Sequence, residues 1–97
     1  MKQVKSYPIA LSIAGSDSSG GAGIQADIKT FSALGVYGAT AITAITAQNT
    51  LGVHSQLAID PQMVYDQICA VVDDLHPQVV KIGMLSNEGI VRAVAEA

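Results

Sequence analysis

The chain has 97 residues, of which 49% are hydrophobic and 13% are charged, and its net charge at pH 7 is −3. This length suggests one domain at most, and the acidic balance provides no basic stripe, so we expect no nucleic-acid partner. The single cysteine, Cys69, excludes an internal disulfide and suits a reducing compartment, so we expect a cytoplasmic protein.

Two segments resemble membrane-related sequences only superficially. The apolar run Ile9–Ala14 follows two lysines, as in a signal peptide, but it is shorter than the ~7–15 residues of a signal core and contains Ser12. Residues 30–59 contain no Asp, Glu, Lys or Arg, yet glycine, glutamine and asparagine interrupt their apolar residues. They do not form the continuous apolar span that crosses a bilayer, so we expect no membrane partner.

The first predicted elements are a buried strand and an amphipathic helix. The short apolar run Ile9–Ala14 predicts the strand. After a glycine-rich stretch, the helical period predicts a helix over Gly23–Leu34, which Gly35 can end. The apolar residues of this helix fall on one face: Ile24, Ile28, Phe31 and Leu34.

The middle of the chain predicts two further strands. Ala39–Ala47 is rich in β-branched residues, which favours a second strand. Gly52–Ile59 gives a weaker signal and predicts a strand that is paired antiparallel or lies at an edge.

The last third of the chain predicts a helix, a strand and a helix. Asp60 is a suitable N-cap and Pro61 suits the first helical position, so a helix begins there. Its apolar stripe consists of Val64, Ile68, Val71, Val72 and Leu75. Gln78–Ile82 predicts a short buried strand, and Asn87 can cap the last helix. The apolar side of that helix holds Ile90, Val91 and Val94.

The alternation of strands and helices predicts an α/β fold in which helices wrap a parallel sheet through right-handed crossovers. No linker divides residues 1–97, so we expect no internal domain boundary. Three parallel strands make a small sheet that needs cover on both faces, and the composition is unusually apolar. These features predict the front part of a larger α/β domain.

The glycine-rich stretch Gly15–Gly23 predicts a small-molecule site, because bare backbone can approach a ligand closely there. Its glycines have Walker A spacing, but Gly21 and Ala22 stand where Lys and Ser or Thr are required. Residues 21–26 fit a dinucleotide pattern, but residues 30–59 offer no acid for a ribose. The remaining alternative is a purely structural turn capped by Asp17, which the length of this small-residue run weakens.

Other polar residues give weaker indications. His54 and His76 lack metal-like spacing to each other or to Cys69, so we predict no metal-binding residues. Cys69 lies in an apolar stripe, so we interpret it as a small buried hydrophobic residue rather than as a nucleophile. Lys81 is predicted to be a strand-end charge only.

Four motifs in order carry a resemblance across almost the whole chain: Ala14–Phe31, Gly35–Gly38, Thr46–Thr50 and Lys81–Leu85. Together they resemble the hydroxymethylpyrimidine/phosphomethylpyrimidine kinases of thiamine biosynthesis, in the ribokinase-like superfamily. The resemblance implies a parallel three-layer α/β/α sheet of the ribokinase-like type, with this chain as its N-terminal part.

The resemblance also implies an activity and a set of binding residues. Such kinases use Mg-ATP to phosphorylate 4-amino-5-hydroxymethyl-2-methylpyrimidine and then its monophosphate. The implied substrate-binding residues are Gly15, Ala22, Asp27, Gln48 and Met84. The ATP and Mg²⁺ sites and the catalytic residue belong to the later part of such kinases. We therefore expect the isolated chain to be inactive and to self-associate through uncovered sheet edges and apolar faces.

The chemistry of two implied residues fits a pyrimidine. The Gln48 carboxamide can pair with an amino donor beside a ring-nitrogen acceptor, and we expect it at the end of the second strand, sharing a hollow with the glycine-rich stretch. The Met84 thioether can pack on an aromatic ring, although core filling is an alternative.

Two other functions stay open, a non-catalytic pyrimidine-binding or assembly module and a pyridoxal/pyridoxine kinase segment, whose branch tends to lack this glutamine.

Overall fold

A three-stranded parallel sheet and a separate two-stranded hairpin form the framework of the computed structural model, which describes residues 7–97. In chain order the elements are β1 (Ile9–Ala14), α1 (Gly23–Ala33), β2 (Tyr37–Ile42), β3 (Ala44–Asn49), β4 (Gly52–Ala58), α2 (Pro61–Leu75), β5 (Val79–Ile82) and α3 (Glu88–Glu96).

The parallel sheet has the order β2-β1-β5, and β1 is the central strand. All six residues of β1 are buried, as its continuous apolar run predicted. In the register of the sheet, Ser12 lies between Thr40 of β2 and Lys81 of β5. The α/β fold with a parallel sheet is therefore confirmed.

Helices cover both faces of the sheet and make three layers. On one face the core consists of Leu11, Ile13, Ala41, Val64, Ile68 and Ile90, which brings α2 and α3 onto β1 and β2. On the opposite face α1 packs through Asp27, which accepts a hydrogen bond from Ser12, and through Phe31, which lies against Gly38. Successive side chains along a strand point to opposite faces of the sheet, so Leu11 packs in one helical layer and Ser12 contacts the other.

The prediction of one strand over Ala39–Ala47 was wrong, because the chain changes partners at Thr43. The Thr43 N–H donates to Ala14 O of the parallel sheet, and its carbonyl accepts from Ile59 N beside the hairpin. β2 therefore belongs to the parallel sheet, whereas β3 pairs antiparallel with β4. The antiparallel pairing predicted for the segment that begins at Gly52 is confirmed.

Two further predictions differ from the structure. The helix predicted over Gly23–Leu34 ends at Ala33, and Leu34 is 72% exposed because the left-handed backbone of Gly35 turns the chain toward β2. The strand predicted over Gln78–Ile82 is β5, and all four of its residues are exposed. β5 pairs with β1 on one side only, so within residues 7–97 it is an edge strand.

The predicted helix starts are confirmed by side-chain caps. Asp60 Oδ2 accepts from Gln62 N at 3.0 Å, and Asn87 Oδ1 accepts from Ile90 N at 2.9 Å. Each bond satisfies one of the amide groups that a helix start leaves unpaired. Across residues 7–97, every helix is too short or too polar to reach from one side of a membrane to the other.

Candidate functional site

The loop between β1 and α1 is folded around the carboxylate of Asp17, which is only 3% exposed. Its Oδ1 accepts from Ser19 N at 2.8 Å and from Ser19 Oγ at 2.7 Å, and its Oδ2 accepts from Gly21 N at 3.0 Å. The Ser19 hydroxyl and the nearby backbone N–H groups outweigh burial and hold the pKa of Asp17 below its ordinary value. Asp17 is therefore a charged anchor for the loop backbone.

The loop closes on itself at Gly23. This residue has φ +60, and a Cβ atom there would overlap the carbonyl oxygen of Gly15. The same carbonyl accepts from Ile24 N at 3.0 Å, at the start of α1. Only glycine combines the positive φ with this close approach, so Gly23 determines how the loop enters the helix.

The hairpin is joined to this loop by hydrogen bonds. Ser16 N donates to Ala44 O at 2.8 Å, and Thr46 Oγ1 lies 2.7 Å from Ser16 O. The Ser18 hydroxyl accepts from Gln48 N at 2.7 Å and donates to Gln48 O at 2.6 Å. Ser18 thus holds the backbone of Gln48 against the glycine-rich loop.

A cavity of about 350 Å³ lies between the loop, the hairpin and the carboxyl end of β5. Four of the five predicted site residues line it: Gly15, Ala22, Gln48 and Met84. Its further lining includes Thr46, Val53, Gln56, Lys81 and Gly83. The structure therefore brings Gln48 and the glycine-rich loop to one hollow, and the binding role of these residues stays a prediction.

The position of Gln48 differs from the predicted one. It does not end a strand of the parallel sheet but lies in β3, on the same face of the hairpin as Thr46. Because the chain leaves the parallel sheet at Thr43, the hairpin forms a side wall of the cavity. Gln48 reaches the cavity from that wall.

Asp27 does not line the cavity but lies behind it. Its Oδ2 accepts from Ser12 Oγ at 2.6 Å and from Lys81 Nζ at 3.0 Å. Burial raises the pKa of Asp27, but the Ser12 hydrogen bond and the hydrogen bond and charge of Lys81 together bring it below its ordinary value. Asp27 is therefore ionised at neutral pH and contacts the cavity through Lys81.

The prediction that Lys81 is only a strand-end charge was wrong. Its ammonium group pairs with Asp27 and forms part of the cavity wall. A signal was present in the sequence, since Lys81 is the one charged residue within the apolar strand Val79–Ile82. Its carboxylate partner lies in a different element, so the pattern alone did not identify the pair.

Met84 is 90% exposed and lines the cavity, so it does not fill the core. Packing of its thioether on an aromatic ring stays a prediction. The cavity therefore offers a carboxamide, an ammonium group, a thioether and glycine-rich backbone to a ligand.

The cavity is suited to binding. Asp17 is the only carboxylate among its lining residues, and it is engaged by the loop amides. Across residues 7–97 no three His, Cys, Asp or Glu side chains are grouped so that they could hold a metal ion. The binding role of the lining residues stays a prediction.

Comparisons with known proteins agree on one family. The phosphomethylpyrimidine kinase family matches residues 17–97. The hydroxymethylpyrimidine/phosphomethylpyrimidine kinase of Rhizobium meliloti (strain 1021) is 61% identical over 88 residues, which cover 91% of this chain and 33% of that protein. The chain spans about a third of the length of the curated relatives that it matches.

Solved structures show the same likeness. The crystal structure of a phosphomethylpyrimidine kinase from Clostridium difficile 630 matches with a TM-score of 0.89 and 55% identity, covering 92% of this chain and 38% of that one. An ADP complex of Bacillus subtilis pyridoxal kinase matches with a TM-score of 0.83 and 42% identity, covering 93% of this chain and 36% of that one. The three-layer fold is therefore ribokinase-like.

Proposed function

The chain belongs to the phosphomethylpyrimidine kinase family, and on this premise we propose that it forms the pyrimidine-binding part of a kinase of thiamine biosynthesis. The whole enzyme transfers phosphate from ATP to 4-amino-5-hydroxymethyl-2-methylpyrimidine and then to its monophosphate. Residues 1–97 are the amino-terminal part of one ribokinase-like domain without an internal boundary. The hydrogen bonds that join hairpin and loop support this single unit.

One observation carries the proposal, the position of Gln48 on a cavity that the glycine-rich loop also lines. A carboxamide presents an acceptor beside a donor, and an aminopyrimidine edge presents an amino donor beside a ring-nitrogen acceptor. One glutamine can therefore make two hydrogen bonds with this ring. The small residues Gly15 and Ala22 leave room for the flat heterocycle, and Met84 packs on its face.

Asp27 acts indirectly in this proposal. It holds Lys81 at the cavity wall, where the ammonium group has further N–H donors for an oxygen of the substrate. The phosphate oxygens of the monophosphate are further acceptors for these N–H groups. This role distinguishes Asp27 from the four residues that line the cavity.

The described residues do not make a nucleotide site. Phosphoryl transfer needs positioning and charge stabilisation around the γ-phosphate, and the cavity contains one ammonium group, Lys81. We place the ATP and Mg²⁺ sites in the remainder of the kinase, because the relatives are about three times as long as this chain. The single cysteine suits a cytoplasmic enzyme.

Two other functions are alternatives to this proposal, and each predicts a different experimental result. A B6-vitamer kinase is favoured by the similarity to pyridoxal kinases, and the amide at position 48 argues for the aminopyrimidine instead. A non-catalytic pyrimidine-binding or assembly module would use the same cavity. The whole kinase polypeptide would then bind the pyrimidine without phosphorylating it.

Calorimetry on the purified chain tests the proposal. We expect the aminopyrimidine to bind at least about tenfold more tightly than pyridoxal, and Gln48→Ala to remove this preference because two hydrogen bonds are lost. Gln62→Ala is the matched control, since Gln62 lies exposed on α2. The chain alone should show no ATP-dependent phosphorylation. Tighter binding of pyridoxal would overturn the proposal.

A further inference from the structure

The hydroxyl group of Thr46 lies beside two oxygen atoms that can accept a hydrogen bond, but it has only one proton to donate. Thr46 Oγ1 lies 2.7 Å from the carbonyl oxygen of Ser16 and 2.9 Å from Oε1 of Gln48. A threonine hydroxyl donates a single hydrogen bond, whereas it can accept two. One of these two oxygens therefore receives no proton from Thr46 while both face it.

The two acceptors differ in what they can change. The Ser16 carbonyl belongs to the backbone, which the bond from Ser16 N to Ala44 O holds against the hairpin. The Gln48 carboxamide can turn by 180° about its last side-chain bond, which brings Nε2 to the position of Oε1. Thr46 then donates to Ser16 O and accepts from Gln48 Nε2, so its single proton and one of its lone pairs are both used.

The backbone of Gln48 is held in place. Both its N–H and its C=O are bonded to the Ser18 hydroxyl, at 2.7 and 2.6 Å. The register of β3 is irregular between Ala47 and Gln48, but the side chains of Thr46 and Gln48 contact each other and line the same cavity. The direction of the amide is therefore a variable that the neighbouring hydroxyl of Thr46 can determine.

We propose that Thr46 is a positioning residue that orients the Gln48 carboxamide with Nε2 toward its own hydroxyl and Oε1 toward the cavity. The N–H that lies trans to the carbonyl donates to Thr46. The other N–H stays beside Oε1, and the two present a donor and an acceptor in one fixed order.

This order determines which heterocycle fits, a consequence that rests on the proposed function. In a 4-aminopyrimidine the exocyclic group donates and the adjacent ring nitrogen accepts. In the 4-oxo analogue the exocyclic oxygen accepts and the adjacent ring N–H donates, so the order is reversed. For a ring that lies in one orientation in the cavity, an amide that turns freely accepts both forms, whereas an amide held by Thr46 accepts only the amino form.

NMR on the 97-residue chain without ligand tests the orientation itself. We expect nuclear Overhauser effects between the Gln48 side-chain amide protons and the side-chain protons of Thr46, and their loss in Thr46→Val. If the amide protons point away from Thr46 in the unsubstituted chain, the proposal is wrong. Neither part of this measurement needs a bound pyrimidine.

Calorimetry with the 4-amino compound and its 4-oxo analogue tests the consequence. Thr46→Val should lower the ratio of their affinities by about tenfold, because the amide becomes free to turn. Thr46→Ser keeps the hydroxyl and should restore the ratio. A purely structural role would weaken both ligands alike and leave the ratio unchanged, which contradicts the proposal. If neither compound binds the unsubstituted chain, the proposed function fails while the NMR result still decides the role of Thr46.

Discussion

At the scale of single residues, glycines with similar backbone angles have different tasks. Gly23 and Gly35 both have positive φ, at +60 and +72. A side chain at Gly23 would overlap the Gly15 carbonyl, whereas nothing lies within 4 Å of a Cβ at Gly35. Gly23 is therefore needed for close approach in the site, and Gly35 only for a turn.

Alanine substitutions separate these two tasks. Gly35→Ala should lower the free energy of unfolding by about 1 kcal/mol, because only the left-handed conformation is strained. Gly23→Ala should lower it by about 3 kcal/mol, because overlap with backbone adds to that strain. Urea unfolding monitored by circular dichroism measures both. Equal losses in the two variants would contradict the proposed close approach.

The ion pair of Asp27 and Lys81 predicts a pH dependence. The folded-state pKa of Asp27 lies below its ordinary value of 3.8, so the unfolded chain binds the proton more readily than the folded one. The stabilisation of the folded state by the ionised Asp27 is then complete above about pH 4, and it is lost as the pH falls through the folded-state pKa of Asp27.

Lys81→Met should raise the pKa of Asp27, because burial then acts against a carboxylate that has lost its cation. Acid unfolding should consequently begin at a higher pH than in the unsubstituted chain. Lys29→Met is the control, since Lys29 bonds only the exposed carbonyl of Gly20. NMR titration of the Asp27 carboxyl group measures the change, and an unaltered pKa would show that the pair has no electrostatic effect.

At the scale of elements, local signals predicted helix starts well. The Asp60–Pro61 pair begins α2 as expected, because the cap bond to Gln62 involves residues only two apart. The division of the predicted second strand at Thr43 was missed, because its two backbone bonds go to Ala14 and Ile59. β-branched composition indicates an extended chain, but it carries no information on which neighbour the strand pairs with.

The cap of α2 gives a prediction at this scale. Asp60→Ala should lower the free energy of unfolding by about 1 kcal/mol, because an amide at the helix start loses its acceptor. Asp73→Ala removes a carboxylate near the opposite end of the same helix. That change should be neutral or slightly stabilising, because negative charge is unfavourable at a helix C-terminus. Thermal unfolding compares the two, and a larger loss for Asp73→Ala would contradict the cap assignment.

At the scale of the whole molecule, the parallel sheet has an uncovered edge at β5, and the chain is also unusually apolar. β5 has unpaired backbone groups on the side away from β1 within residues 7–97, and its valines and isoleucine are exposed. Such an edge is a template for pairing with another chain. We expect the isolated chain to self-associate for this reason.

Sedimentation velocity over a range of concentrations measures the association. Val80→Lys should shift the chain toward monomer, because a charge on an edge strand opposes pairing. Val72→Lys adds the same charge on α2, away from the edge, and should have a smaller effect. A chain that stays monomeric at high concentration without substitution would contradict the expectation.

Features that depend on neighbours along the chain could be predicted from the sequence. These include the buried strand β1, the caps of α2 and α3, the left-handed turn at Gly35 after α1, and the glycine-rich loop. Periodicity, capping and left-handed glycines act over a few residues, so their pattern is visible before folding. The family motifs were equally visible, because they are strings of residues.

Only the tertiary structure decided the features that join distant segments. It placed Gln48 on a hairpin wall, paired Asp27 with Lys81 behind the cavity, and left β5 at an edge. Each of these depends on hydrogen bonds between elements that are far apart in sequence, and several partners are available to every strand and side chain. The pattern of one segment does not specify which partner is chosen, because packing of the whole molecule makes that choice.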